Sequence, residues 1–226
     1  MKTLLKFVVA LFVLGGAYYV AAPYLQPVTP ETPEMPETKA DVKVTTAQIQ
    51  EDSSTYTIDV SYPQFGIPAI DTQIKKAIDD TVTEFKTLSS NPDEPATPKL
   101  SFDASFDSVY VGPDVVSVKL ILSQYTGGAH PLTLISGLNY DRTTGKQLLQ
   151  NDAFEMLGMT IEQVSTVATA ELKAKLGDSM FEEGTNTNSE NFSSFVISAD
   201  EVTFIFQQYQ TAAYAAGPQE VSFDKK

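Results

Sequence analysis

Cysteine is absent from this 226-residue chain, and histidine occurs once, at His130. Without thiols there is no disulfide, no thiolate zinc site, no cysteine nucleophile and no acylated lipoprotein cysteine. A single imidazole excludes a two-histidine metal site within one chain. Basic residues are also scarce: 15 Lys and Arg stand against 29 Asp and Glu, for a formal net charge of −14 and a pI near 4.3. Such a surface repels phosphate backbones and anionic lipid, so no nucleic-acid partner is expected. It would attract a basic partner at long range, although the same acidity also serves ordinary solubility. No loop has the converging carboxylates of an oxygen-only calcium site, and neither a metal nor another cofactor is expected.

Long apolar runs are missing too, with one exception at the N-terminus. Lys2 and Lys6 precede the run from Phe7 to Ala22, the pattern of an export signal. As a helix, Leu4 to Ala22 would span about 28 Å, just enough for a bilayer core. Tyr18, Tyr19 and Tyr24 stand where interfacial aromatics belong, and the two lysines orient the N-terminus toward the cytoplasm. Residues 1–22 are therefore expected to anchor the chain in the cell membrane through residues 4–22, single-pass, with the C-terminal part outside. A cleaved signal peptide is the alternative, leaving a secreted or periplasmic protein; Pro23 would hinder cutting after Ala22. Residues 23–40 are dense in Pro, Thr and Glu and read as an extended, hydrated stalk. Residues 41–226 then form the folded part, with a subdivision near 127–131.

Within it, apolar residues alternate with period two. Tyr56, Ile58, Val60 and Tyr62 share a face, as do Phe102, Ala104, Phe106, Ser108 and Tyr110. Val116 to Leu122, Leu132 to Tyr140, Val202 to Phe206 and Val221 to Phe223 give further strands, and a strand at 42–50 pairs with 54–62 across Asp52-Ser53. Two helices interrupt them. The first follows Pro68, with Ile70, Ile74, Ile78, Val82 and Phe85 at helical spacing, and stops at Ser89 to Pro92. The second opens on a capping box, Thr160 with Gln163, buries Ile161, Val164, Ala168, Leu172 and Leu176, and ends at Gly177 after Lys173 and Lys175. Asp152 caps a short helical turn at Asn151 to Phe154. The fold class is α+β: an antiparallel or mixed β-sheet with two principal helices packed on it, preceded by an N-terminal membrane helix.

Two segments are candidates for contact with a ligand. Tyr125-Thr126-Gly127-Gly128-Ala129-His130-Pro131 joins two apolar strands and offers bare backbone amides, an imidazole and a tyrosine. It reads either as a recognition loop or as a tight connection whose histidine makes one local hydrogen bond. Tyr209 to Pro218, YQTAAYAAGP, has almost no charge; Tyr209 and Tyr214 suit an interface or pack over the sheet edge. The ligand-binding candidates are Tyr125, Gly127, Gly128, His130, Tyr209, Tyr214 and Gly217. Asn139 to Lys146 reads as a hairpin, with Asp141 opening the turn and Gly145 at the left-handed position. Asn191-Phe192-Ser193 is a glycosylation sequon at chance level.

GGAHP at Gly127 to Pro131, NYDRTTGK at Asn139 to Lys146, DAF at Asp152 to Phe154 and YQTAAYAAGP occur in that order. In this they resemble an extracytoplasmic domain found in RsiV-type lysozyme-binding anti-sigma factors and, as the non-catalytic part, in PdaC-type peptidoglycan deacetylases. The resemblance runs over about residues 42–224, and departs from the family pattern at Thr211 and Ala213, where isoleucine and proline are usual. It implies a binding role toward a protein such as lysozyme, or toward peptidoglycan, without chemistry of its own. Too few residues precede the apolar run to hold a sigma factor.

No enzyme is expected and no catalytic residue is assigned. A serine triad would have to draw on His130 with Ser123, Ser136 and Asp141, and the chain has no G-x-S-x-G elbow. Paired-carboxylate chemistry of a cell-wall hydrolase, or deacetylation, stays open behind two other readings: a membrane-anchored non-catalytic binding module, and a structural envelope protein without a specific ligand.

Overall fold

In a computed structural model of the chain, residues 42–88 and 98–226 are described. Strands β1 (Thr45–Asp52) and β2 (Tyr56–Gln64) form a hairpin, closed by Ser53, whose hydroxyl accepts from the Thr55 and Tyr56 amides. Helix α1 (Pro68–Leu88) then carries the chain back, so that β3 (Leu100–Val111) lies parallel to β2. Strands β4 (Val115–Tyr125) and β5 (Leu132–Asp141) complete a mixed sheet in the order β1-β2-β3-β4-β5. The apolar stripe of α1, Ile70, Ile74, Ile78, Val82 and Phe85, is buried in one cluster with Ile58, Val60, Phe102, Val118 and Leu120. Each fully buried side chain of this size contributes about 1.5–3 kcal/mol, so periodicity alone places α1 on this face.

The rest of the chain builds a second core. It comprises α2 (Gln150–Leu157), α3 (Ile161–Leu176), three 3-10 turns between Gly177 and Phe192, and the antiparallel strands β6 (Phe195–Ile197), β7 (Glu201–Phe206) and β8 (Gln219–Asp224). Helix α3 opens on its capping box: Gln163 N–H donates to Thr160 Oγ1, and Thr160 N–H to Gln163 Oε1. In α2 the side chain of Asp152 stands three residues inside the cap and accepts from the Leu149 amide at 2.7 Å. The centre is a phenylalanine cluster in which Phe204 meets Phe192 and Phe223 edge-to-face.

Two expectations change. The strands divide between a five-stranded and a three-stranded sheet instead of forming one. The outward edge of β5 is already occupied by side chains: Ile135 N–H donates to Gln207 Oε1, Gln207 Nε2 donates to Ile135 O, and Gly137 N–H donates to Ser194 Oγ. Strand β6 therefore lies across the back of β4 and β5. The short helix expected at Asn151 to Phe154 is present and longer, as α2. In β3, the register shifts between Asp107 and Tyr110, and Ser108 takes φ +49°, so Ser108 is exposed and leaves the face shared by Phe102 and Ala104.

Residues 127–131 lie inside the five-stranded sheet as the β4–β5 hairpin, and the change of core comes after Asp141. Among the described residues, no helix is long and apolar enough to cross a membrane. The expected anchor at 4–22, the stalk at 23–40 and the helix stop at Ser89 to Pro92 fall outside the described residues.

Candidate functional site

The hairpin between β4 and β5 turns through Gly127 and Gly128 at φ +94° and +124°, backbone that a side chain would strain. The Tyr125 hydroxyl donates to Gly128 O at 3.1 Å and holds the turn. This brings His130 to the tip, exposed, with Nδ1 2.8 Å from Pro131 O. A carbonyl oxygen only accepts, so Nδ1 carries a proton there, and Nε2 is left facing away from that bond.

The second candidate segment arrives from the other sheet. After β7 the chain makes a turn in which Gln210 N–H donates to Gln207 O, and Tyr209 takes φ +66°. That conformation costs a non-glycine residue on the order of 1 kcal/mol and needs outside support. Gln210 provides it: its Oε1 accepts from the Gln207 amide, and its Nε2 donates to Gly184 O and Asn191 O. Beyond the turn, Tyr214–Ala216 form a 3-10 turn closed by Gly217, whose carbonyl, with that of Ala216, accepts from Gln219 Nε2.

The two segments meet. The His130 and Tyr214 rings stack with centroids 4.2 Å apart and planes 28° apart, and Tyr209 lies 5.4 Å beyond Tyr214 at 38°. Three rings from the two sheets thus form one aromatic ledge, with Tyr209 51% exposed at its end. Of the sequence candidates, Tyr125, Gly127, Gly128 and Gly217 shape the backbone beneath it, while His130, Tyr209 and Tyr214 are its surface. Gln207, Gln210 and Gly184 were not among the candidates, yet they fix the turn that presents Tyr209. A β-carbon on Gly184 would stand 2.0 Å from Gln210 O. Paired glutamines in Gln207-Gln208, next to an uncharged segment, were the available signal.

The carboxylate of Asp141 is engaged in its own turn, where Oδ1 accepts from the Thr143 and Thr144 amides. The sequon asparagine is also structural: Asn191 Nδ2 donates to Glu183 O and Asn186 Oδ1, and a glycan, which leaves Nδ2 one proton, could not keep both bonds. Among the described residues, no three His, Cys, Asp or Glu side chains converge as a metal site. Burial sets the hydroxyl of Tyr140 well above the usual tyrosine range. Lys119 ties the layers together by ion pairs to Asp107 and Glu220; burial pulls its pKa down, but the Glu220 hydrogen bond and the two negative charges outweigh that and raise it.

Thr211 and Ala213, the two positions at which the sequence departs from the resemblance noted above, have different surroundings. Ala213 is exposed with φ −61°, within proline's range. Thr211 is 1% exposed, and its Oγ1 has no hydrogen-bond partner among the described residues. Thr211→Val is isosteric and removes that unpaired hydroxyl, so it is expected to raise unfolding stability by about 1 kcal/mol in urea titration, with ledge geometry unchanged.

Comparison with known proteins agrees with this two-part construction. Residues 49–133 match the family described as deacetylase PdaC, and residues 150–226 match a family described as protein of unknown function, DUF3298. The peptidoglycan-N-acetylmuramic acid deacetylase PdaC of Bacillus subtilis (strain 168) is 28% identical over 184 residues, 79% of this chain. The match spans 39% of that protein's length. Two crystal structures share the fold. A DUF3298 family member from Bacteroides fragilis NCTC 9343 aligns with a TM-score of 0.53 at 19% identity, over 81% of this chain and 90% of its own. One from Pseudomonas aeruginosa PAO1 aligns with a TM-score of 0.57 at 16% identity, over 82% and 91%. The PdaC match covers most of the five-stranded sheet and the DUF3298 match covers the second core, so the chain is similar to a PdaC-type domain in its first part and to DUF3298 in its second.

Proposed function

We propose that this chain is a non-catalytic binding module, displayed outside the cell from an N-terminal membrane anchor, that recognises a protein or a cell-wall glycan through the ledge of His130, Tyr214 and Tyr209. The stack itself carries this reading. Rings from two segments far apart in sequence are brought together at the surface, His130 stacked on Tyr214 and Tyr209 tilted beyond it, over a loop almost free of charge. Flat amphipathic rings with few soft torsions lose little entropy when covered, whether by a sugar ring or by a protein surface. The ring of the only histidine is engaged in stacking and its Nδ1 in a backbone hydrogen bond, an arrangement suited to contact. The B. subtilis relative is named for action on peptidoglycan, and lysozyme binding is implied by the RsiV resemblance; both set the ligands to try first.

Tyr214→Ala, which removes the middle ring, is expected to weaken binding of peptidoglycan fragments or of lysozyme roughly tenfold or more, about 1.4 kcal/mol per decade. His130→Ala should act in the same direction, and both should leave the melting temperature within about 2 °C. Binding and melting temperature falling together would make the rings structural. Turnover of a peptidoglycan fragment, lost in His130→Ala, would instead make the chain an enzyme. No ligand at low salt would favour the structural envelope protein.

A further inference from the structure

The five-stranded sheet treats its two edges differently. Along β5, the outward backbone groups of Ile135, Gly137 and Asn139 are taken by Gln207, Ser194 and the Leu148 amide. Strand β1 has no such cover: it ends the sheet and pairs only with β2 among the described residues. Its pairing is regular over all eight residues, Thr45 to Asp52, without a bulge, a proline or a lysine, which are common protections of a free edge.

The hairpin sets which groups are free. Ser53 N–H donates to Tyr56 O, so Ser53 faces Tyr56 in a hydrogen-bonded pair, and the residues bonding β2 alternate from there as Glu51, Ile49 and Ala47. The amides and carbonyls of Thr46, Gln48, Gln50 and Asp52 therefore point away from the sheet, and all four residues are exposed. A row of four outward donor–acceptor pairs on a bulge-free edge is a template for another strand.

We propose that β1 pairs antiparallel with β1 of a second copy of this chain, with Ile49 on the twofold axis, joining two five-stranded sheets into one. In that register every residue with free backbone groups meets another: Gln48 faces Gln50 of the second copy, and Thr46 faces Asp52. Half-buried Ile49 meets itself in the closer, non-hydrogen-bonded position, where side chains cover each other best. Charge is also compatible. Glu51 falls opposite Ala47, so no carboxylate opposes another across the axis. Gln48 and Gln50 each donate one Nε2 proton to Ser61 or Asp59 on β2, which leaves a second N–H to donate and an amide oxygen to accept toward the facing glutamine. The contact is isologous, as a twofold dimer requires.

The absence of cysteine makes the test clean. In the full-length chain, Ile49→Cys is expected to form a disulfide-linked dimer under mild oxidation, because facing residues there lie about 4.5 Å apart at Cα, within disulfide reach. Its rate should exceed that of Thr83→Cys, an exposed collisional control on α1, by about tenfold or more through effective concentration. Adding Q48E/Q50E sets carboxylates against each other across the pairing and should return the rate to the control; Q48K/Q50E, with the same acid beside Asp59, should restore it. Equal rates for Ile49→Cys and Thr83→Cys would overturn the proposal. So would indifference to the charge pairs, or cross-linking to a different protein.

Discussion

Gly137→Ala is expected to be the most damaging single substitution in the described part of the chain. A β-carbon at this position would lie 1.6 Å from the carbonyl oxygen of Phe195 and 2.4 Å from its carbon. Those atoms belong to the backbone of β6, which is fixed to β4 and β5 by hydrogen bonds, so the neighbour has nowhere to move. Relief requires parting the two sheets and uncovering the surface between the cores. The expected loss is about 4 kcal/mol or more, a large share of the roughly 5–15 kcal/mol that holds a typical domain folded. Urea titration of the full chain measures it. Gly127→Ala is the comparison: its β-carbon would meet nothing within 4 Å, and only the positive φ is strained, for about 1 kcal/mol. Equal losses in the two variants would mean that the close approach of β5 and β6 does not control stability.

The second large effect is expected at Asn139. Its side chain is fully buried in the seam between the sheets, where Nδ2 donates to Phe195 O and Oδ1 accepts from the Ser117 hydroxyl. Ser117 Oγ accepts in turn from the Ile197 amide. This short chain of bonds, from β5 through β4 to β6, satisfies buried groups of the three-stranded sheet that no β-ladder reaches. Asn139→Ala strands the Phe195 carbonyl and the Ser117 hydroxyl together, at about 1–3 kcal/mol for each buried group left unpaired. A loss near 3 kcal/mol is therefore expected. Ser117→Ala should cost a similar amount, and the double variant well under the sum, because both single changes break the same chain of bonds. Full additivity would show that Asn139 and Ser117 act independently.

How far the sequence carried the interpretation varies from element to element. Helix α1 was legible because Ile70 to Phe85 repeat with the helical period, and α3 because Thr160 and Gln163 announce its start. The strands were legible from alternation until β3, where the bulge at Ser108 broke it; a single unpaired residue leaves no mark in hydropathy. Asn139 read as the start of a hairpin, and Asp141 and Gly145 do make that turn, with Gly145 N–H donating to Asp141 O. The burial of Asn139 was not legible, since a polar residue beside a turn ordinarily faces water. Gly137 did carry a signal, a glycine inside the strand LTLISGLNYD, which marks a close approach of another backbone.

Taken alone, the sequence determined the composition-level exclusions, the positions of most strands and helices, and the two loops worth attention. Those are local properties, written in periodicity, caps and turn residues within a few positions of one another. Only the tertiary structure decided that the strands form two sheets, that His130 stacks on Tyr214, and that one edge of the larger sheet is sealed by Gln207 and Ser194 while the other, β1, pairs with no further strand among the described residues. Each depends on residues far apart in the chain meeting, and such contacts are selected by burial and hydrogen-bond satisfaction across the whole fold, which no local pattern encodes.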